Sequence, residues 1–129
     1  MKKPKILIVD DDNNMHVALH RRLKAAGYET AFATDGVTAT NAAFKEEPDL
    51  VLLDLGLPAG DGFVVMERFQ SNARLSCIPI IVLSGREVRV NKERALASGA
   101  CAYFQKPPDN ESLMTVIEQT LRQAGALAQ

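Results

Sequence analysis

At 129 residues, 47% hydrophobic and 24% charged, the chain is long enough for one domain with a packed core, too short for two, and unlike a disordered or fibrous protein. Fifteen basic residues against sixteen acidic leave a formal net charge of -1. That balance offers no broad attraction to nucleic-acid phosphates or an anionic membrane surface, so direct nucleic-acid binding by this domain is not expected.

Met1 to Lys5 has the basic character of a signal-peptide start, but the apolar run behind it is only Ile6-Leu7-Ile8-Val9 before three aspartates. Secretion and membrane insertion are not expected, and the chain is placed in the cytoplasm. Cys77 and Cys101 form no Cys-x-x-Cys pattern and are expected as reduced, small core residues.

The first strand is predicted at Lys5–Val9. A helix follows, with Asp12 or Asn13 as N-cap, Met15, Leu19, Leu23 and Ala26 on one face, and Gly27 at its end. His16 and His20 stand four apart on it, but Val17 occupies the position where His-Glu-x-x-His needs glutamate, so both are assigned to a solvated face. The second strand is predicted at Thr30–Ala33, the second helix near Gly36–Lys45, the third strand at Leu50–Leu53 and the third helix near Asp61–Ser71. A fourth strand at Pro79–Leu83 precedes a helix at Val88–Ala97. There Arg86, Arg89, Lys92 and Arg94 alternate with Glu87 and Glu93, the pattern of a solvated or partner-facing surface. The fifth strand is predicted at Ala102–Gln105. The last helix is opened by Asp109 or Asn110 and carries Leu113, Val116, Ile117, Thr120 and Leu121 inward.

The strand runs are continuously apolar rather than alternating, as required of parallel strands covered on both faces. The predicted fold is therefore α/β: a (βα)5 doubly wound, five-stranded parallel sheet of flavodoxin-like type. The domain is expected over residues 1–124, with 125–129 a flexible tail or the start of a linker.

In such a sheet, ligands bind where the loops leave the carboxyl ends of the strands. Strand one ends in Asp10-Asp11-Asp12, strand three in Asp54, strand four in Ser84 and strand five in Lys106. Crowded carboxylates repel one another unless a cation neutralises them, and Mg²⁺, which takes oxygen ligands and presents phosphate, suits the group. Phosphoryl transfer asks mainly for position and charge neutralisation. In this scheme Asp54 is the nucleophile, Asp10 and Asp11 hold the metal, Ser84 donates to one phosphoryl oxygen and Lys106 brings a charge to another. Asp12 is assigned to helix capping, and Asp61-Gly62 to a turn and helix N-terminus.

Four blocks in order carry a resemblance that covers Lys5 to about Arg122. They are Ile6-Leu7-Ile8-Val9-Asp10-Asp11-Asp12, Asp54-Leu55-Gly56-Leu57-Pro58-Ala59-Gly60-Asp61-Gly62, Val82-Leu83-Ser84-Gly85, and Gly99-Ala100 leading to Tyr103-Phe104-Gln105-Lys106-Pro107. The chain resembles the receiver domains of two-component response regulators, the CheY-like family. The resemblance implies that Asp54 is the phosphoacceptor, that Asp10, Asp11, Asp54 and the backbone carbonyl of Gly56 bind Mg²⁺, that Lys106 contacts phosphate, and that Ser84 and Tyr103 are switch residues. It implies a cis Lys106-Pro107 bond. It also implies a signalling switch rather than an enzyme with external substrates, one that catalyses only its own phosphorylation and dephosphorylation. The phosphoryl group would come from a sensor histidine kinase or phosphotransfer protein. A downstream protein or output domain would read the face formed by helix four, strand five and helix five.

Departures from the family pattern are Ser84 where threonine is usual, Gly85 where alanine is common, and Pro108. Gly56 has no side chain to shield a phosphoryl group, while Arg86 can reach over it, so these two are expected to set the dephosphorylation rate. The rival readings are a phosphorylation-independent interaction domain and a haloacid-dehalogenase-type phosphohydrolase. The second wants Asp-x-Asp-x-Thr/Val after strand one, and Asn14 stands in the last place here.

Overall fold

The computed structural model describes residues 2–58 and 61–127. In chain order the elements are β1 (Lys5–Val9), α1 (Asn13–Ala25), β2 (Glu29–Ala33), α2 (Gly36–Glu46), β3 (Leu50–Leu53), α3 (Gly62–Gln70), a short 3-10 turn at Leu75–Cys77, β4 (Ile80–Ser84), α4 (Val88–Ala97), β5 (Ala100–Gln105) and α5 (Asn110–Gln123). All neighbouring strands are parallel, in the order β2-β1-β3-β4-β5. This is the predicted α/β sheet.

Alternate strand residues feed two cores. Leu7, Val9, Val51, Leu53, Ile80 and Val82 face α2, α3 and α4, where Ala39, Ala43, Val65, Met66, Phe69 and Ala95 meet them. Ile6, Ile8, Leu50, Leu52, Ile81 and Leu83 face α1 and α5, against Leu19, Leu23, Leu113, Ile117 and Leu121. Because helices cover both faces, no strand position in β1, β3 or β4 needs a polar side chain to meet water.

Four helices are started by aspartates. Asp12 accepts from Asn14 N–H and Met15 N–H, Asp61 from Phe63 N–H and Val64 N–H, and Asp109 from Ser112 N–H. Asp35 and Thr38 form a reciprocal capping box on α2. The Thr38 backbone N–H first, then its hydroxyl, hold the Asp35 carboxyl below its ordinary value of 3.8, against a small opposing effect of burial. A folded-state value below the unfolded one stabilises at pH above 3.8 and is lost as pH falls through the lower folded value. Asp35→Asn keeps a capping oxygen without the charge. It is expected to melt below wild type at neutral pH, with the gap closing in acid; a gap independent of pH would contradict this assignment.

The fifth strand starts two residues earlier than predicted. Ile80 pairs with Ala100 but Ile81 with Ala102, leaving Cys101 as an extra residue at a bulge. Cys77 lies in the 3-10 turn, and both cysteines are exposed free thiols, not core residues. Ala26 is likewise exposed as the C-cap of α1, its place in the core taken by Tyr28. Gly125, at φ +80°, reverses the chain beyond α5. Ala126 N–H and Leu127 N–H then donate to Leu121 O, at 2.9 and 3.3 Å, and both residues pack on the second core. Residues 125–127 of the expected tail are thus held to the domain, and Ala128 and Gln129 lie outside the described residues. The Lys106-Pro107 bond is cis, as the resemblance implied. Among the described residues no helix is long and apolar enough to cross a membrane.

Candidate functional site

Backbone hydrogen bonds that prolong the sheet ladder place three of the predicted residues. Asp10 N–H donates to Ala33 O at 3.0 Å, Asp54 N–H to Val9 O at 2.9 Å and Lys106 N–H to Ser84 O at 2.8 Å. Each group leaves a strand end while its own main chain is fixed by the adjacent strand.

The side chains converge. Lys106 Nζ lies 2.6 Å from Asp10 Oδ2 and 3.4 Å from Asp54 Oδ2, with Asp10 and Asp54 both buried. Asp12 N–H donates to Asp10 Oδ1 at 2.9 Å, and Gly56 N–H to Asp54 Oδ1 at 3.2 Å. Burial works to lower the Lys106 pKa, but the Asp10 hydrogen bond and the charges of Asp54 and Asp10 outweigh it, so the ammonium is held above its ordinary value and stays charged.

One carboxylate oxygen from each of Asp10, Asp11 and Asp54 falls within 4.8 Å of the others, and Asp11 is exposed. Two buried carboxylates and one exposed one offer three hard oxygen donors that could hold a small divalent cation. Gly56 is drawn into the same group through its N–H. A Cβ added there would stand 4.0 Å from Asp54 Oδ1, so a larger residue would overhang the carboxylate.

Ser84 is fully buried, and its Oγ accepts from Arg86 N–H at 3.2 Å. Tyr103 is also buried, its hydroxyl donating to Arg86 O at 2.8 Å. Burial raises the Tyr103 pKa; the Ser84 hydroxyl and the Arg86 charge oppose this, and Asp54 adds to it. Both switch candidates are therefore tied to the main chain of Arg86, Ser84 through the Arg86 N–H and Tyr103 through the Arg86 carbonyl.

Two features were not foreseen. Asp61 caps α3 through Oδ1, but its Oδ2 lies 3.8 Å from Arg86 Nη1, a pairing across the cleft that no sequence spacing announces. His16 is only 8% exposed, stacked on Phe32 at 4.8 Å, with its Nε2 buried and without a hydrogen-bond partner among the described residues. The solvated-face assignment fails for His16 because it continues the inward stripe of Leu19 and Leu23, at helical steps of three and four. His20 is exposed as expected, and its Nδ1 meets Thr30 Oγ1 at 2.6 Å.

The family model of the response regulator receiver domain matches residues 6–118. The chain is a response regulator receiver domain. It is 35% identical over 126 residues to the DNA-binding dual master transcriptional regulator RpaA of Synechocystis sp., an alignment covering 98% of this chain and 52% of that protein. It is 34% identical over 125 residues to the transcriptional regulatory protein PrrA of Mycobacterium tuberculosis, covering 97% and 53%. The receiver thus spans about half the length of these curated relatives.

Solved receivers share the fold. The CheY-like response regulator receiver domain protein from Methanospirillum hungatei superposes with a TM-score of 0.88 at 26% identity, covering 97% of this chain and 98% of that one. The chemotaxis response regulator CheY4 of Vibrio cholerae gives 0.85 at 28% identity, covering 93% and 100%. Ala59 and Gly60, within the second sequence block that carried the resemblance, lie outside the described residues.

Proposed function

We propose that this receiver is a phosphorylation-dependent switch in which Asp54 accepts a phosphoryl group from a phosphohistidine. The observation that carries the reading is the Lys106 ammonium joining Asp10 and Asp54 at adjoining strand ends. An Asp54 oxygen attacks phosphorus, the phosphorus–nitrogen bond of the donor breaks, and the donor imidazole leaves with a proton. Mg²⁺, when held by Asp10, Asp11, Asp54 and the Gly56 carbonyl, supplies neutralising charge for the phosphoryl oxygens. Lys106 exchanges part of its contact with Asp54 for a phosphoryl oxygen, and the Ser84 hydroxyl donates to another.

The donor is a sensor histidine kinase or a phosphotransfer protein, and a downstream protein or output domain reads the α4-β5-α5 face. Exposed Val90 and Leu96 among the cations of α4 support that face as a protein contact. The chain's balanced charge supports leaving DNA contacts to another domain. Since Tyr103 is already buried against Arg86, the phosphoryl group would retain this ring rather than recruit it. Gly56 and Arg86 set the lifetime of the phosphorylated state, and cytoplasmic location follows from the donor.

The test is the intact mass of the folded domain after incubation with acetyl phosphate, in Mg²⁺ or in chelator. One Mg²⁺-dependent phosphoryl adduct is expected. Its absence under both conditions would replace this reading with that of a phosphorylation-independent interaction domain.

A further inference from the structure

Arg86 has a main chain pinned at both ends. Its N–H donates to Ser84 Oγ at 3.2 Å and its carbonyl accepts from the Tyr103 hydroxyl at 2.8 Å. The freedom left to this residue lies in its long side chain, which crosses the cleft so that Nη1 stands 3.8 Å from Asp61 Oδ2.

Asp61 divides its work between two oxygens. Oδ1 accepts from Phe63 N–H at 3.0 Å and from Val64 N–H at 3.3 Å, starting α3, while Oδ2 is left for Arg86. The segment that carries it is docked on the phosphoacceptor's own main chain, since Gly62 N–H donates to Leu55 O at 2.9 Å and a Cβ on Gly62 would lie 2.7 Å from Asp54 O. The anchor of the guanidinium is therefore carried by a segment seated on the phosphoacceptor's main chain.

The side chains of Arg86 and Asp61 are 39% and 37% exposed, and their separation is at the long end for an ion pair. Such pairs are weak and exchange readily. A phosphoryl dianion on Asp54 would offer a guanidinium shorter, charge-assisted and bidentate hydrogen bonds, which one carboxylate oxygen at 3.8 Å does not.

We propose that Asp61 is a positioning residue that holds Arg86 aside in the unphosphorylated domain, and that Arg86 leaves Asp61 for the phosphoryl group once Asp54 is modified, covering the side that Gly56 leaves open. The inference rests on the phosphoacceptor reading of Asp54. Loss of the group is hydrolysis: a water oxygen bonds to phosphorus, the bond from phosphorus to the Asp54 oxygen breaks, the carboxylate leaves with its electron pair, and the water's proton passes to solvent. Arg86 slows that step by occupying the space through which water reaches phosphorus. Asp61 shortens the lifetime by competing for Arg86.

The experiment compares the decay of the adduct, after removal of acetyl phosphate, in wild type, Asp61→Asn, Arg86→Ala and the double variant, with thermal unfolding of each. Asparagine caps a helix as well as aspartate, so Asp61→Asn removes the charge and keeps α3. Decay is expected to slow about two- to five-fold in Asp61→Asn, the fold-change carried by an exposed pair, and this gain is expected to shrink in high salt. Arg86→Ala is expected to decay faster than wild type, and the double variant to match Arg86→Ala. A wild-type adduct with the same lifetime in Asp61→Asn overturns the positioning role alone. So does a slowing by Asp61→Asn that persists when Arg86 is absent. No adduct in the wild type overturns the phosphoacceptor reading and this inference together.

Discussion

Asp54→Asn is expected to form no phosphoryl adduct from acetyl phosphate while remaining folded with a melting temperature within about 4 °C of wild type. An amide oxygen lacks the charge to attack phosphorus, so the chemistry ends with that one atom exchange. The surroundings tolerate it. The Gly56 N–H that donates to Asp54 Oδ1 at 3.2 Å finds an equivalent amide oxygen, and Lys106 keeps Asp10 at 2.6 Å. Removing one of three carboxylates packed within 4.8 Å also relieves repulsion, which offsets the lost attraction to Lys106 at 3.4 Å. Mass spectrometry and a melt on the same sample check both halves. An adduct on the variant would move the phosphoacceptor to Asp10 or Asp11, and a collapse of the melt would make Asp54 a structural residue.

Gly62→Ala is expected to be the most destabilising of the single substitutions considered, by about 2 kcal/mol, as overpacking against atoms that cannot rotate away. The added carbon would lie 2.7 Å from Asp54 O, 2.8 Å from Leu55 Cα and 3.0 Å from Leu55 Cδ2. Two of these belong to the main chain just beyond β3, so α3 must lift from the sheet or Asp54 must move. Phosphorylation is therefore expected to slow about ten-fold as well, because a small misplacement of a reacting group costs heavily in rate. Gly85→Ala is the control, since a Cβ there meets nothing within 4 Å. Denaturant unfolding of the two variants separates the cases: equal midpoints for both would show that Gly62 is not selected by contact.

The sheet was legible because burial on both faces leaves β1, β3 and β4 as uninterrupted apolar runs, a pattern few other environments impose. The starts of β2 and β5 were not. Glu29 and Ala100 join their strands through backbone pairing with Lys5 and Ile80, which side-chain chemistry does not record. Asp10, Asp54, Ser84 and Lys106 could be found because strand ends are fixed by the topology once the strands are known. Asp61 and Arg86 meet through loops whose geometry no periodicity encodes, so their pairing appears only in the folded chain. The cysteines were misassigned on residue type alone, although a 3-10 turn and a bulge each release the side chain from the inward–outward alternation. His16 was within reach of the sequence. Its spacing to Leu19 and Leu23 is that of a buried stripe, and on such a stripe position outweighs the polarity of a single side chain.

Helix α4 buries only Ala95, while Val90 is 68% and Leu96 41% exposed, and its N-terminus is met by Gln105 Oε1 accepting from Val88 N–H at 3.3 Å rather than by a cap of its own. Val90 and Leu96 pack on neither core, so they can change at little cost to folding, unlike Val88 and Ala95 on the inner side or Arg94 over Phe63. The domain thus separates what must stay constant from what can drift. A protein contact made through α4 could then be re-specified at Val90 and Leu96 while Asp10, Asp54 and Lys106 keep their places.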